Sequence, residues 1–438
     1  MTTEGTIEKK SQISAIRGME DILPALARHY QFVEGQAREL FDRYGYGEIR
    51  TPVLEPTELF ARTVGDSSDI VVSKQMYTFT DPGERSNTMR PEGTAGVVRA
   101  LIESGLLKET SQQKLFYVGP MFRYEKPQKG RQRQFTQIGM ELFGVAHAAA
   151  DAEVITMCYH LLRRVGFNDI VVKLNNLGDP GDRKGFNDRL REAILEVVAS
   201  ARESGKYAEW CEQWQDLAAI NPMRVFDTKV EECRPYLSSL PRVVDYVGEE
   251  ARNHFDVVTA LLAQAGVPFE VDRELVRGLD YYTRTVFEIV QTGLGAQNAI
   301  LGGGRYDNLV EELGGPPTPA VGMAIGVERL IMAMQAQGIK LPPSPPPAFY
   351  VLALDDESLP TAYRLAELAR SSGQRVAFDC QPKSAKAGLR SANRSKAQIA
   401  VIVGADELSR GVAQWKNLES GEQIELLMAE IERNLKEG

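Results

Sequence analysis

Residues 114–144 read KLFYVGPMFRYEKPQKGRQRQFTQIGMELFG. Two runs of strand length, KLFYVGPMFRYE and FTQIGMELFG, flank a polar stretch that carries Lys126, Lys129, Arg131 and Arg133 without an acid. This pattern predicts a β-hairpin with a basic loop. Arg123 and Glu125, two residues apart on the first strand, share one face. An inward Arg/Glu pair beside a basic loop suits a phosphate group and a nucleic-acid end. A solvated hairpin with a surface ion pair is the plainer reading, and the segment alone does not separate the two.

Working outward, EIRTPVLE (48–55), KQMYTFTD (74–81) and RTVFEIVQ (284–291) are further strand-like runs that no regular crossover helices connect. The expectation is an α+β domain with a mainly antiparallel sheet of six to seven strands and helices packed on it. Residues 25–44 have apolar positions at Tyr30, Val33, Ala37, Leu40 and Phe41, the spacing of an amphipathic helix, and the glycines of YGYG end it. Residues of about 179–265 are strand-poor and rich in charge, which reads as a helical insertion. LPPSPPP (341–347) holds five prolines in seven residues and reads as a semi-rigid linker. Beyond it, FYVLAL, SLPTAYRLAELARSSG, RVAFDC, residues 383–396 and QIAVIVG alternate strand and helix, so residues 348–438 predict a small α/β domain with a mostly parallel sheet. The expected plan is a loose tail at 1–13, a catalytic-size domain at 14–340, the linker and the C-terminal module.

Composition narrows the class. The 438 residues are 43% hydrophobic and 25% charged, which suits a globular chain. Lysine and arginine total 51 against 60 acids, a net charge of −9 that argues against a nucleic-acid binder if charge is spread evenly. No apolar run is long enough to span a membrane. MTTEGTIEKKSQ, at the start, lacks the apolar centre of a secretory leader, so a cytoplasmic location is expected. Four cysteines and four histidines are scattered without metal-ligand spacing, so no chain-held metal is expected. No GxSxG-type sequence supports a serine hydrolase.

Four segments carry candidate chemistry. FRYEKPQKGRQRQF (122–135) is the hairpin turn. AVGMAIGVERLIMAM (320–334) runs a glycine-punctuated strand into a helix with Glu328 and Arg329 in its first turn. An arginine there opposes the helix dipole, which makes sense if an anion sits beside it; a local ion pair is the alternative. VRGLDYYTRTVFE (276–288) precedes LGGGRYD (301–307), where a Gly-rich turn beside Arg305, Tyr306 and Asp307 could admit a ligand close to backbone. RPEG (90–93) makes a turn presenting Arg90, Glu92 and Thr94, with an ordinary helix cap at Thr94 as the alternative.

Together and in this order, the FRYE-loop-F pattern, GMAIGVERL and the early helix–strand with Pro52 resemble the three motifs of the class II aminoacyl-tRNA synthetase family. RGLDYYTRTVFE and GGGRYD are similar to the two peptides specific to its histidyl branch. RPEGT and QFTQIGMELFG extend the resemblance over about residues 14–340, and the C-terminal module resembles that family's anticodon-binding domain. The resemblance implies ATP-dependent ligation of L-histidine to tRNA(His) through a histidyl-adenylate, by a homodimer, with Mg²⁺ on the outer phosphates. It implies that Arg123 holds the α-phosphate, Arg329 the γ-phosphate side, and Glu125 the adenine end, with Arg131 also on the nucleotide. Arg277 would approach the α-phosphate opposite Arg123. Glu92, Thr94 and Gln137 would meet the amino group of histidine. Glu141 and Tyr282 would read the imidazole, with Tyr281 and Tyr306 near the ring. Gln128, Lys129, Arg131 and Arg133 would meet the acceptor end of tRNA. Lys383, Lys386, Arg390, Arg394 and Lys396 form a second basic stretch for phosphate contacts. A solvated helix face is the alternative for that stretch.

Two other readings compete. A non-catalytic histidine-binding paralogue, such as the regulatory subunit of ATP phosphoribosyltransferase, typically lacks the C-terminal module and some catalytic positions; here the module and Arg123, Arg277 and Arg329 are all present. A prolyl or threonyl relative shares the module, but RGLDYYT and GGGRYD speak against it.

Overall fold

A computed structural model of the chain describes residues 13–68, 75–126, 130–205, 208–228, 230–277, 281–291 and 299–437. The chain divides into two compact units, one up to Leu341 and one from Pro342 onward. Among the described residues, no helix is long and apolar enough to cross a membrane.

The first unit is built on an eight-stranded sheet. Its strands, in chain order, are β1 (Gly47–Glu48), β5 (Gln113–Phe122), β6 (Gln134–Phe143), β7 (Ile170–Asn176), β8 (Phe269–Val271), β9 (Thr283–Gln291), β10 (Ala299–Arg305) and β11 (Ala320–Gly326). β2 (Leu54–Pro56), β3 (Tyr77–Thr80) and β4 (Ser86–Met89) form a separate three-stranded sheet. The spatial order of the large sheet is β1-β5-β6-β11-β10-β9-β7-β8. The six central strands are antiparallel, and a short parallel strand closes each edge. The α+β class with a mainly antiparallel sheet is therefore what the chain adopts, with two edge strands of two and three residues extending it.

Alternation along the strands decides what lies on each face. On β6, Ile138, Met140 and Leu142 pack against the helices Pro24–Arg43, Ala149–Arg164 and Val327–Ala336. Gln137, Gly139 and Glu141 point the other way. The helix Pro24–Arg43 begins with proline at its first turn and buries Tyr30, Val33, Ala37, Leu40 and Phe41. Each fully buried apolar side chain of that stripe contributes roughly 1.5–3 kcal/mol.

The strand-poor segment divides in two. The helices Pro180–Glu203 and Glu209–Ile220 share a core with the helix Thr94–Ser104. The helix Glu249–Gln264 instead packs Val258 and Leu262 into the core under the opposite face and carries the crossover from β7 to its parallel neighbour β8. Arg284 holds the two parts at their base. Its guanidinium donates to Asp179 at 2.8 and 3.0 Å and to Glu250 at 2.7 Å. Asp179 caps the helix Pro180–Glu203 in a reciprocal capping box with Asp182.

The second unit has a five-stranded sheet of β12 (Phe349–Ala353), β13 (Val376–Phe378), β14 (Ile399–Val403), β15 (Val412–Asn417) and β16 (Gln423–Leu427), in the order β13-β12-β14-β15-β16. The first three strands are parallel, as the alternation predicts, and β15 and β16 add antiparallel partners. β16 is largely exposed, so no apolar run marks it.

Candidate active site

A pocket of about 550 Å³ opens on the face of the large sheet that carries Glu141. Glu92, Thr94, Arg123, Glu125, Arg131, Gln137, Glu141, Arg277, Tyr281, Tyr282, Tyr306 and Arg329 all line it. The sequence spreads these residues from position 92 to position 329; strand register brings them together. β6 pairs Glu141 with Gly322 of β11, and Gly322 pairs in turn with Gly304 of β10.

These glycines leave space for the functional groups. A Cβ on Gly322 would lie 1.8 Å from Glu141 Oε2, and one on Gly302 would lie 2.5 Å from Arg277 Nη1. GGGR is therefore the inside of a central strand and not the ligand-admitting turn expected from its glycines. Each missing side chain there is volume given to a neighbour.

One end of the pocket is a buried polar cluster. Glu141 is 1% exposed and accepts from Thr94 Oγ1 at 2.7 Å and from the Tyr306 hydroxyl. Burial pushes its carboxyl up to about 8, against the hydrogen bonds from Tyr306 and Thr94 and with Glu92 adding to the rise. Glu92 accepts from the backbone N–H groups of Thr94 at 2.6 Å and Ala95 at 2.9 Å, so it caps the helix Thr94–Ser104. Its carboxyl also lies above the usual range because it is desolvated. Thr94 is the first helical residue and not the cap; its hydroxyl is spent on Glu141. Tyr281 and Tyr306 stack edge to face at 5.5 Å. Arg90 faces away from this chemistry: it is buried and donates to Pro120 O at 2.9 Å and Thr51 O at 2.9 Å.

The other end is cationic. Arg123 donates from Nε to Pro91 O at 2.8 Å and lies over the Phe135 ring. Arg277 pairs with Glu288 and lies 6.0 Å from the Tyr282 ring centroid. Its Nε is buried without a partner among the described residues, a donor with capacity left for a ligand. Burial disfavours the Arg277 charge, but Tyr282 and Glu288 outweigh that and hold the guanidinium above its ordinary value. Arg329, in the first turn of the helix Val327–Ala336, has no hydrogen bond or ion pair among the described residues. Desolvation and the like charge of Arg131 both push it below the usual arginine value, so an anion between them would be stabilised.

Not every expected residue points into the pocket. Arg133 is spent on the base of its own loop: it lies 4.0 Å over the Tyr124 ring and donates to Glu125 O at 3.2 Å and Arg17 O at 3.4 Å. Gln128 and Lys129 lie outside the described residues. Glu125 meets Arg131 at 3.5 Å. In the second unit Lys386, Arg390 and Arg394 are exposed at i, i+4 and i+8 on the helix Ala385–Ser395. Lys383 is drawn instead into an ion pair with Asp379 at 2.8 Å, and Lys396 ends the helix in the left-handed conformation.

Three contributors were not anticipated. Glu288 balances Arg277; a carboxylate inside the apolar run TVFEIV was the available signal. Glu328 lines the pocket and accepts from Thr136 N at 2.6 Å and Tyr30 Oη at 3.2 Å, tying the Arg329 helix to β6 and to the first helix. Tyr117 donates to Gln137 Oε1 at 3.2 Å from beneath Gly139.

Comparisons with known proteins agree with this geometry. A family model described as histidyl-tRNA synthetase matches residues 18–330, and one described as anticodon binding domain matches 348–438. A histidine–tRNA ligase of Caldanaerobacter subterraneus subsp. tengcongensis is 43% identical over 422 residues, 96% of this chain and 99% of the relative. One from Bacillus cytotoxicus is 45% identical over 415 residues, 94% of this chain and 96% of the relative. The crystal structure of apo Staphylococcus aureus histidyl-tRNA synthetase superposes with a TM-score of 0.80 at 33% identity, covering 97% of this chain and 100% of that one. The sheet, the arginine-lined pocket and these matches agree, and the chain belongs to the histidyl-tRNA synthetase family.

Proposed function

We propose that this chain is a histidine–tRNA ligase: it activates L-histidine with ATP and transfers the histidyl group to tRNA(His). The observation that carries the reading is one pocket joining a buried Glu/Thr/Tyr cluster to Arg123, Arg131, Arg277 and Arg329. The first end is built to hydrogen-bond a polar side chain, and the second to hold phosphates.

On this reading the histidine carboxylate attacks the α-phosphate of ATP in line, and pyrophosphate leaves. Little covalent work falls to the protein, so positioning and charge stabilisation do most of it. Arg123 and Arg277 hold the α-phosphate, Arg329 and Arg131 the outer phosphates, and Glu125 the adenine end. Arginine suits these places because its fork is planar and always charged. Glu92, Thr94 and Gln137 orient the amino group. Glu141 accepts from an imidazole N–H and so selects the tautomer, with Tyr281, Tyr282 and Tyr306 around the ring.

Mg²⁺ arrives with the nucleotide. Such an ion would require no all-protein cage, because Mg²⁺ commonly retains several waters when it comes with a nucleotide. No group of three or more His, Cys, Asp or Glu suited to a metal occurs among the described residues. Its charge would add to the stabilisation of the outer phosphates. The enzyme acts as a cytoplasmic homodimer on this reading; exposed Leu23, Val53 and Leu54 flank the helix–strand unit read as the first motif.

ATP–pyrophosphate exchange with each amino acid in turn tests the proposal. Exchange that depends on histidine alone is expected. Histidine binding without exchange would instead favour the regulatory-paralogue reading, and exchange with another amino acid would overturn both.

The exposed stripe on the second unit makes a separate prediction. Replacing Lys386, Arg390 and Arg394 by alanine should leave exchange unchanged and raise the KM for tRNA(His) by about tenfold or more. The salt dependence of tRNA binding should also flatten, by about 0.7–0.9 in log–log slope for each phosphate no longer neutralised. Unchanged tRNA kinetics and salt slope would show that the stripe is only solvated.

A further inference from the structure

Arg305 and Asp151 are both 0% exposed, and the catalytic chemistry uses neither. Arg305 ends β10 and points to the helix-covered face. There its Nε donates to both Asp151 carboxylate oxygens at 3.1 Å, and its Nη2 also reaches Asp151. Nη1 donates to Val145 O at 3.1 Å and to Asp307 Oδ1 at 3.0 Å. His254 meets Asp151 at 3.2 Å from the helix Glu249–Gln264. Asp307 accepts from Ala320 N at 3.1 Å, which links the network to the first residue of β11.

The next residue is Tyr306. Successive side chains of a strand point to opposite faces, so Arg305 and Tyr306 are two ends of one lever. β10 shifts register against β9 between Gly304 and Arg305, so its pairing is regular only on the β11 side, where Arg305 faces Val321 and Tyr306 N donates to Ala320 O at 2.8 Å. The network supplies the constraint that the β9 side lacks. With Arg305 held on one face, Tyr306 is 1% exposed on the other and donates to Glu141. Burying such an ion pair is costly, and apolar residues of similar volume often serve stability as well, so positional control is the gain that distinguishes this arrangement.

We propose that Arg305, with Asp151 and Asp307, is a positioning residue for amino-acid recognition. It acts through Tyr306 on Glu141, and so on the imidazole end of the pocket. The inference rests on the histidine–tRNA ligase reading, and wild-type exchange with histidine establishes that reading separately.

The test replaces the buried pair by apolar residues, Arg305→Met with Asp151→Leu, in the full-length enzyme. Active-site titration counts competent sites, and KM is measured for histidine and for ATP. The histidine KM should rise by about tenfold, because sub-ångström misplacement of a contact is costly, while the ATP KM stays within about twofold. In a Tyr306→Phe background the same replacement should add little further, since both changes act on one coupled interaction. A wild-type histidine KM in the folded variant overturns the proposal. So do equal rises in both KM values, or effects that add fully in the Tyr306→Phe background, because each describes a merely structural role. If the double variant does not fold, Asp307→Asn decides. It keeps an acceptor for Ala320 N at a partly exposed position, and it should raise the histidine KM in the wild-type background but not in Tyr306→Phe.

Discussion

Arg277→His is expected to lower histidine-dependent ATP–pyrophosphate exchange by about 10²–10³-fold or more, the range for losing a group aimed at transition-state charge. Arg277 occupies the space left by Gly302, stands against Glu288, lines the pocket, and keeps a buried Nε without a partner among the described residues. Histidine is shorter, largely neutral at pH 7, and cannot present a fork. The loss should fall on kcat more than on KM, because the interaction strengthens as charge develops at the phosphorus. Thermal unfolding should change little, since the side chain lies at the pocket wall and is 23% exposed. Wild-type-like exchange in this variant would remove Arg277 from the reaction.

Glu141→Gln should have the second large effect, on amino-acid selection. A site that hydrogen-bonds its substrate's side chain rejects analogues by about 10⁴–10⁵, and much of that margin depends on the carboxylate acceptor. The carboxyl titrates at about 8 in the ligand-free protein because it is desolvated. Its accepting form therefore grows as pH rises, and kcat/KM for histidine in the wild type should climb through this range. The climb should be absent in the Gln variant, and a pH profile of exchange checks it.

The same shift has a stability consequence of opposite sign. The folded value of about 8 lies above the ordinary 4.5. Between those pH values the folded state binds more protons than the unfolded one, so this group's contribution to stability falls as pH rises. Glu141→Gln removes that dependence. Ligand-free, the variant should gain on the wild type between about pH 5 and pH 8.5, by an amount on the order of a few kcal/mol. Parallel pH dependences of unfolding would show that Glu141 is already ionised at neutral pH. If both pH dependences are found, Glu141 trades stability of the empty enzyme for recognition of its substrate.

Arg329 was legible locally because an arginine in a helix first turn opposes the dipole, for which a nearby anion would supply the reason. Glu141 was indicated only by the resemblance to the family. Arg133 and Lys383 show the converse limit. Composition counts a cation, but it does not say whether a backbone carbonyl or Asp379 already holds it. The net charge of −9 misled likewise, since the basic groups sit in patches at the hairpin and on the helix Ala385–Ser395. GGGR read as a turn because glycine is most often a turn residue, and a sheet that needs gaps in its surface is the rarer use.

The sequence by itself determined the hairpin, the strand-to-helix run of residues 320–334, the proline break and the strand–helix alternation that follows it. These are local properties, written as periods of 2 and 3.6 residues. Tertiary structure decided what no period records. The order β6-β11-β10 sets Glu141 beside Gly322, and Gly322 beside Gly304. Folding also joins Arg305 to Asp151 across 154 residues. A strand's pattern says which side is buried, whereas which neighbour covers it, and hence how its charges titrate, depends on pairings between distant strands and on the helices above them.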